Sequence, residues 1–157
     1  MQASWHQDAD KLTFIILSEK AYANGPASDV VSSMIGDVNV FLINHNDQKA
    51  AEVEVMIAEP EARGKGYGRE AIRMMLAYAY RELGLTYFVV KIGLANTTSA
   101  RLFKSLLFVQ ESVSEAFQEV TMVMDMSTST VPRNLTTYSQ RSLKERLAKD
   151  TLAAENE

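Results

Sequence analysis

Cysteine is absent from the chain, which excludes disulfides, thiolate-bound zinc and a cysteine nucleophile. Histidine is nearly as scarce. His6 and His45 both sit among polar residues, where a surface position is more natural than a catalytic or metal-binding one, so no metal is expected. No run approaches the roughly 18 apolar residues of a membrane span. The N-terminus, Met1 to Asp8, also lacks a basic segment followed by an apolar one, so neither export nor a membrane partner is expected. These absences point to the cytoplasm, or to cytoplasm and nucleus. A net charge of −4 is small and argues weakly against nucleic acid as a partner. What is present is 157 residues, 46% hydrophobic and 23% charged, enough for one globular domain with a core of its own.

Three of the seven glycines fall within five residues, in Arg63-Gly64-Lys65-Gly66-Tyr67-Gly68. Glycine takes up positive φ without a Cβ clash, so such a turn can aim several N–H groups into one small space. A helix starting here would add unpaired N–H donors and the positive end of its dipole. Arg63 and Lys65 add charge, and an anion is the natural guest. The spacing fits neither a P-loop, which needs four residues between glycines and then Lys-Ser/Thr, nor a dinucleotide fingerprint of the form G-x-G-x-x-G.

The flanks supply alternating elements. Lys11 to Leu17 is β-branched and aromatic, a strand. Ser18 to Ser33, with Asn24-Gly25-Pro26, is a loop. Met34 to Ile43 and Glu52 to Ala58 are expected to pair as a hairpin about a turn at Asn44 to Gln48. Beyond the glycines, Ile72, Met75, Leu76, Ala79 and Leu83 mark one face of a helix from about Tyr67 to Leu83, with Gly84 placed to end it. Thr86 to Ile92 is a nearly continuous apolar strand, so the unit reads strand, helix, parallel strand. Asn96 or Thr97 caps a short helix carrying Leu102, Phe103 and Leu106. Leu107 to Val109 and Phe117 to Met124 read as a closing antiparallel pair. Residues 127–137 shift to Ser, Thr, Pro and Asn, a linker, and Tyr138 to Leu152 is a charged helix or a disordered tail. The expected organisation is therefore a domain over residues 1–126 and a tail over residues 127–157.

Arg63-x-x-Gly66-x-Gly68 resembles the pyrophosphate loop of the GCN5-related N-acetyltransferases. Asn96-x-x-Ser99-x-x-Leu102-Phe103-x-x-Leu106-x-Phe108 is similar to that family's second motif. Met34 to Leu42, Glu52 to Pro60 and Phe117 to Thr121 further resemble stretches of the N-acetyltransferase 9-like proteins. The resemblance runs from about Met1 to Met126. It implies an α/β fold with a mostly antiparallel mixed sheet, one parallel strand pair and flanking helices. The implied activity is transfer of an acetyl group from acetyl-CoA to an amine of a protein or peptide. Family members carry a first strand and one or two helices before the run matching Lys11 to Leu17, whereas ten residues precede it here, so the chain resembles a shortened form.

By the same resemblance, Met56, Ile57 and Ala58 bind the pantetheine and polarise the thioester. Arg63, Gly64, Lys65, Gly66, Tyr67 and Gly68 form the phosphate loop, and Asn96, Ser99 and Phe103 lie beside the cofactor. Glu52 and Glu54 are two apart, so in a strand both point to one face while Val53, Val55 and Ile57 point to the other. Either carboxylate is a candidate general base, or the pair simply faces solvent. Family members often place a tyrosine where this chain has Phe103, and phenylalanine has no proton to give a leaving thiolate. A non-catalytic protein that keeps the fold, binding acetyl-CoA or a partner, is the alternative reading. A small-molecule amine acetyltransferase is a third.

Overall fold

The computed structural model describes residues 9–18 and 30–127. The expected linker beyond Ser127, the expected tail, the arm before residue 9 and most of the expected loop between Ser18 and Ser33 lie outside the described residues. Asn46 and Asp47 carry φ of 49° and 62°, the left-handed pair that a tight two-residue hairpin turn requires. The turn is therefore shorter than the sequence suggests, and the strands on either side run to its edge. β2 (Met34–His45) and β3 (Gln48–Ile57) pair antiparallel from Gly36↔Ile57 to His45↔Gln48. β1 (Lys11–Leu17) adds antiparallel to β2, and no described strand pairs with its other edge.

A 3₁₀ turn at Pro60–Ala62 and the glycine loop lead into α1 (Tyr67–Glu82). Gly84, at φ 66°, ends it, as its position implies, because glycine enters the left-handed region without a Cβ penalty. β4 (Tyr87–Gly93), α2 (Thr97–Ser105), β5 (Val109–Ser114) and β6 (Glu119–Asp125) follow. The sheet order is β1-β2-β3-β4-β6-β5. Every neighbouring pair is antiparallel except β3 and β4.

Both helices lie against one face of the sheet. Val38, Val40, Val53, Phe88, Val90 and Ile92 meet Ile72, Met75, Leu76 and Ala79 of α1 and Phe103 and Leu106 around α2 in one buried cluster. Phe88, Ile72 and Leu76 are fully buried, each contributing about 1.5–3 kcal/mol by removal from water. The opposite face has a much smaller apolar patch, in which Ala50, Val89 and Val123 are buried beside Ile43 and Tyr87. Side chains alternate along a strand, so that second face also carries Glu52, Glu54 and Lys91.

Candidate active site

The ladder between β3 and β4 has only two pairs, Ala51↔Phe88 and Glu52↔Val89. Beyond them β3 continues to Ile57 and β4 to Gly93 without pairing, so the two strands open into a wedge. Which backbone groups face the wedge follows from the β2 ladder. The Ala58 N–H donates to the Ile35 carbonyl at 2.8 Å, and the two-residue turn closes on His45↔Gln48. Hydrogen-bonded pairs alternate along an antiparallel ladder. Glu52, Glu54 and Met56 therefore turn their N–H and C=O groups toward β2. The Glu52↔Val89 rung engages the Val53 N–H. Beyond it the Val53 C=O and both groups of Val55 turn away from β2 into the wedge, where no described strand takes them up. An extended chain with its own amide groups fits such an edge.

The glycine loop closes the β3 arm of the wedge. Gly64 and Gly66 have φ of 72° and 92°, and a Cβ built on either would meet nothing within 4 Å. Positive φ and open space together leave the backbone accessible to a ligand. Gly66 is also the N-cap of α1 and has no side chain with which to cap the helix's first N–H groups, which leaves them facing a guest. Gly68 lies deeper, where a Cβ would touch Ile57 and Leu102 at 3.8 and 3.9 Å. Arg63 folds back onto the end of β3. Its Nε donates to the Ile57 carbonyl at 2.9 Å and its Nη2 to the Ala58 carbonyl at 3.0 Å, which fixes the loop against the strand. Lys65 is exposed. Tyr67 lines a cavity of about 440 Å³ between β1 and α1, shared with Phe14, Glu70, Met74 and Tyr78.

On α2, the Asn96 side chain accepts from the Ser99 N–H at 3.0 Å, so Asn96 rather than Thr97 is the cap. Arg69 of α1 donates to Ser105 at 2.8 Å, tying the two helices together. Phe103 is 2% exposed and meets Phe108 edge to face at 5.1 Å, a core position. Glu52, Glu54 and Met56 share the face away from the helices, with Glu54 and Met56 exposed. Glu52 accepts from the Lys91 ammonium at 2.8 Å. The sequence reading missed Lys91. The available signal was its being the one charge in the apolar strand Tyr87–Gly93.

A second polar cluster lies where the β2–β3 turn meets β5. Glu111 stands at a break in the β5–β6 register, where the extra residue re-aims its side chain. Its carboxylate meets His45 at 2.8 Å, Asn46 at 3.1 Å and the Tyr87 hydroxyl at 3.4 Å. Burial, and then the Glu111 carboxylate, push the Tyr87 phenol above its ordinary value.

A profile of the acetyltransferase (GNAT) domain matches residues 1–109. The chain belongs to the GNAT acetyltransferase family. Among its relatives, the alpha/beta-tubulin-N-acetyltransferase 9 of Homo sapiens is 49% identical over 129 residues, which are 82% of this chain and 62% of the human protein. The Drosophila melanogaster protein of the same name is 48% identical over 126 residues, 78% of this chain and 62% of that one. An N-acetyltransferase 9-like protein of Dictyostelium discoideum is 41% identical over 128 residues, 76% of this chain and 60% of that one. This GNAT chain thus spans about 60% of the length of these relatives. Among solved structures, spermidine N-acetyltransferase from Vibrio cholerae in complex with CoA and spermine superposes with a TM-score of 0.64 at 21% identity, covering 80% of this chain and 71% of that one. A domain from Methanocaldococcus jannaschii superposes at 0.61 with 22% identity, covering 79% and 72%. Among the described residues, no helix is long and apolar enough to cross a membrane, and no group of side chains has the makings of a metal site.

Proposed function

We propose that this chain is an acetyl-CoA-dependent protein N-acetyltransferase, with tubulin as the acceptor to test first. One observation carries the reading: an unpaired strand edge in the wedge leads straight to an open glycine loop at a helix N-terminus. That combination suits a ligand with amide groups at one end and phosphates at the other. The tubulin acceptor rests on the names of the human and fly relatives.

Acetyl-CoA supplies the acyl group, the amine nitrogen bonding to the thioester carbonyl carbon as the C–S bond breaks and the amine proton passes to a base. The Val53 C=O and the N–H and C=O of Val55 face the pantetheine arm. Gly64, Gly66 and the first turn of α1 offer N–H donors to the phosphates, and Lys65 adds a mobile charge. Arg63 holds this loop in register through the Ile57 and Ala58 carbonyls. Glu52 and Glu54 lie on the face from which an amine can approach, and either carboxylate can take its proton, directly or through water. Phe103 is buried and has no proton to give, so the thiolate leaves with water as its proton source.

Calorimetric titration with acetyl-CoA, then release of the CoA thiol with purified tubulin dimer and with a pooled peptide library, tests the proposal. Acceptor-dependent release is expected. Binding without release of thiol from any acceptor would favour a non-catalytic binder, a reading to which the core position of Phe103 lends some weight. No binding would sink the assignment of the glycine loop.

A further inference from the structure

We infer that Lys91 acts at the acceptor amine itself: its ammonium, held by Glu52 at the apex of the wedge, disfavours a second positive charge there and keeps the incoming amine neutral. The inference rests on the acetyltransferase reading and adds a residue to it.

The placement is specific. Glu52 is the last residue of β3 paired to β4, through Val89. Lys91 lies two residues beyond that rung, on the same face, where the strands have begun to part. Had pairing continued, Glu54 would be its neighbour. Because β3 leaves, the lysine reaches back to Glu52 instead, at 2.8 Å. The Glu52 side chain is 19% exposed and the Lys91 side chain 47%, so the carboxylate is fixed while the ammonium still faces the open side. Oε2 of Glu52 is occupied by Lys91, which leaves Oε1 as an acceptor.

Acceptor amines arrive largely as ammonium ions near neutral pH and must lose a proton before attack. A like charge within about 4–6 Å disfavours the charged form by one or more pH units. The same effect activates lysines placed beside another cation. Here the proton leaves the amine for Oε1 of Glu52, and the neutral nitrogen is then free to bond to the thioester carbon as the thiolate departs.

Other charges on this face bear on the pH dependence. Asp37 of β2 lies opposite Met56, and Glu54 of β3 lies opposite Asn39. Lys11 of β1 stands over the Phe41 ring at 4.8 Å, and Phe41 is the residue opposite Glu52. On β6, uncharged Thr121 faces Lys91, Glu119 faces Gly93 and Asp125 faces Tyr87. His45, Glu111 and Tyr87 cluster at the hairpin end of the sheet. Lys91 is thus the cation paired across the wedge, and among the described carboxylates Glu52 is the one it contacts.

The test is a pH profile of kcat, which reports groups in the bound complex, with tubulin dimer and acetyl-CoA both saturating, measured on the full chain, Lys91→Met and Lys91→Arg. Lys91→Met is expected to lose about tenfold or more at pH 7. Its acid limb should move about one unit upward, so that the loss shrinks toward pH 9, and Lys91→Arg should recover most of the rate. Acetyl-CoA affinity should stay within about twofold and the melting midpoint within about 2 °C, since an exposed pair contributes little to stability. A Lys91→Met profile that keeps the wild-type acid limb overturns the inference. So does a loss confined to acetyl-CoA affinity, which would make the pair a strand clamp. If the wild-type chain neither binds acetyl-CoA nor releases thiol, the acetyltransferase reading falls first and this inference with it.

Discussion

Single atoms decide two of the glycines, for opposite reasons. A Cβ on Gly36 would lie 2.0 Å from the Met56 carbonyl oxygen. Both atoms are held in the β2–β3 ladder, so no flexible side chain can yield. Gly36→Ala is expected to lower stability by about 2–3 kcal/mol, read as a shift in denaturant midpoint. It should also displace the end of β3 that carries the loop. Gly66 has open space but φ of 92°, so Gly66→Val strains the backbone by about 1–2 kcal/mol and blocks the approach of a ligand. The expected result is at least a tenfold loss of acetyl-CoA affinity by calorimetry, and unchanged affinity would count against the phosphate loop. Tyr87 offers a third reading at this scale. Its phenol is raised by burial and by Glu111, so the neutral form is favoured in the folded protein. That contribution is fully present below the unfolded value near 10 and is lost as pH rises through the higher folded value. Absorbance titration of phenolate should show one tyrosine ionising late, and Glu111→Gln should bring it earlier. The sequence marked Gly66 through its neighbours. Gly36 stood in a quoted motif without a reason, because the atom that excludes a side chain there belongs to a residue twenty positions away.

At the scale of elements, Asn96→Ala tests the cap of α2. Losing the bond to the Ser99 N–H is expected to cost about 1 kcal/mol, measured as a shift in the melting curve. How far each element was legible follows from what it buries. Lys11–Leu17 matches the expected strand, and α1 ends within a residue of the expected point, because its stripe faces the core and Gly84 stops it. The helix Thr97–Ser105 was visible through its cap and its apolar side. β5 was not. Only its first residue, Val109, fell within the expected Leu107 to Val109 run, while the strand itself runs to Ser114. Gln110, Glu111, Ser112 and Ser114 form an edge strand largely open to water, so neither apolar alternation nor a buried run marks them. Leu107, with φ of 73°, is a turn. The His45–Glu111 contact was equally hidden, since it joins residues 66 apart through a bulge that no local pattern announces.

For the molecule as a whole, the fold class was legible because two motifs, the glycine loop and the Asn96 helix, occur in the order and spacing that the family requires. The wedge between them was not, since two rungs of pairing and ten look alike in a sequence. Yet that seam divides the sheet into two antiparallel blocks, β1-β2-β3 and β4-β6-β5, joined by two backbone pairs and the helices laid across one face. Cooperativity should follow the same division. Native-state hydrogen exchange is expected to show two protected blocks with separate opening free energies, the amides along the seam exchanging first. A ligand that lies in the wedge and touches both arms would couple the blocks, so saturating acetyl-CoA should slow exchange in β6, which it need not contact, as well as in β3. A seam built for opening would thus make the two halves of the molecule report on each other only when the site is filled.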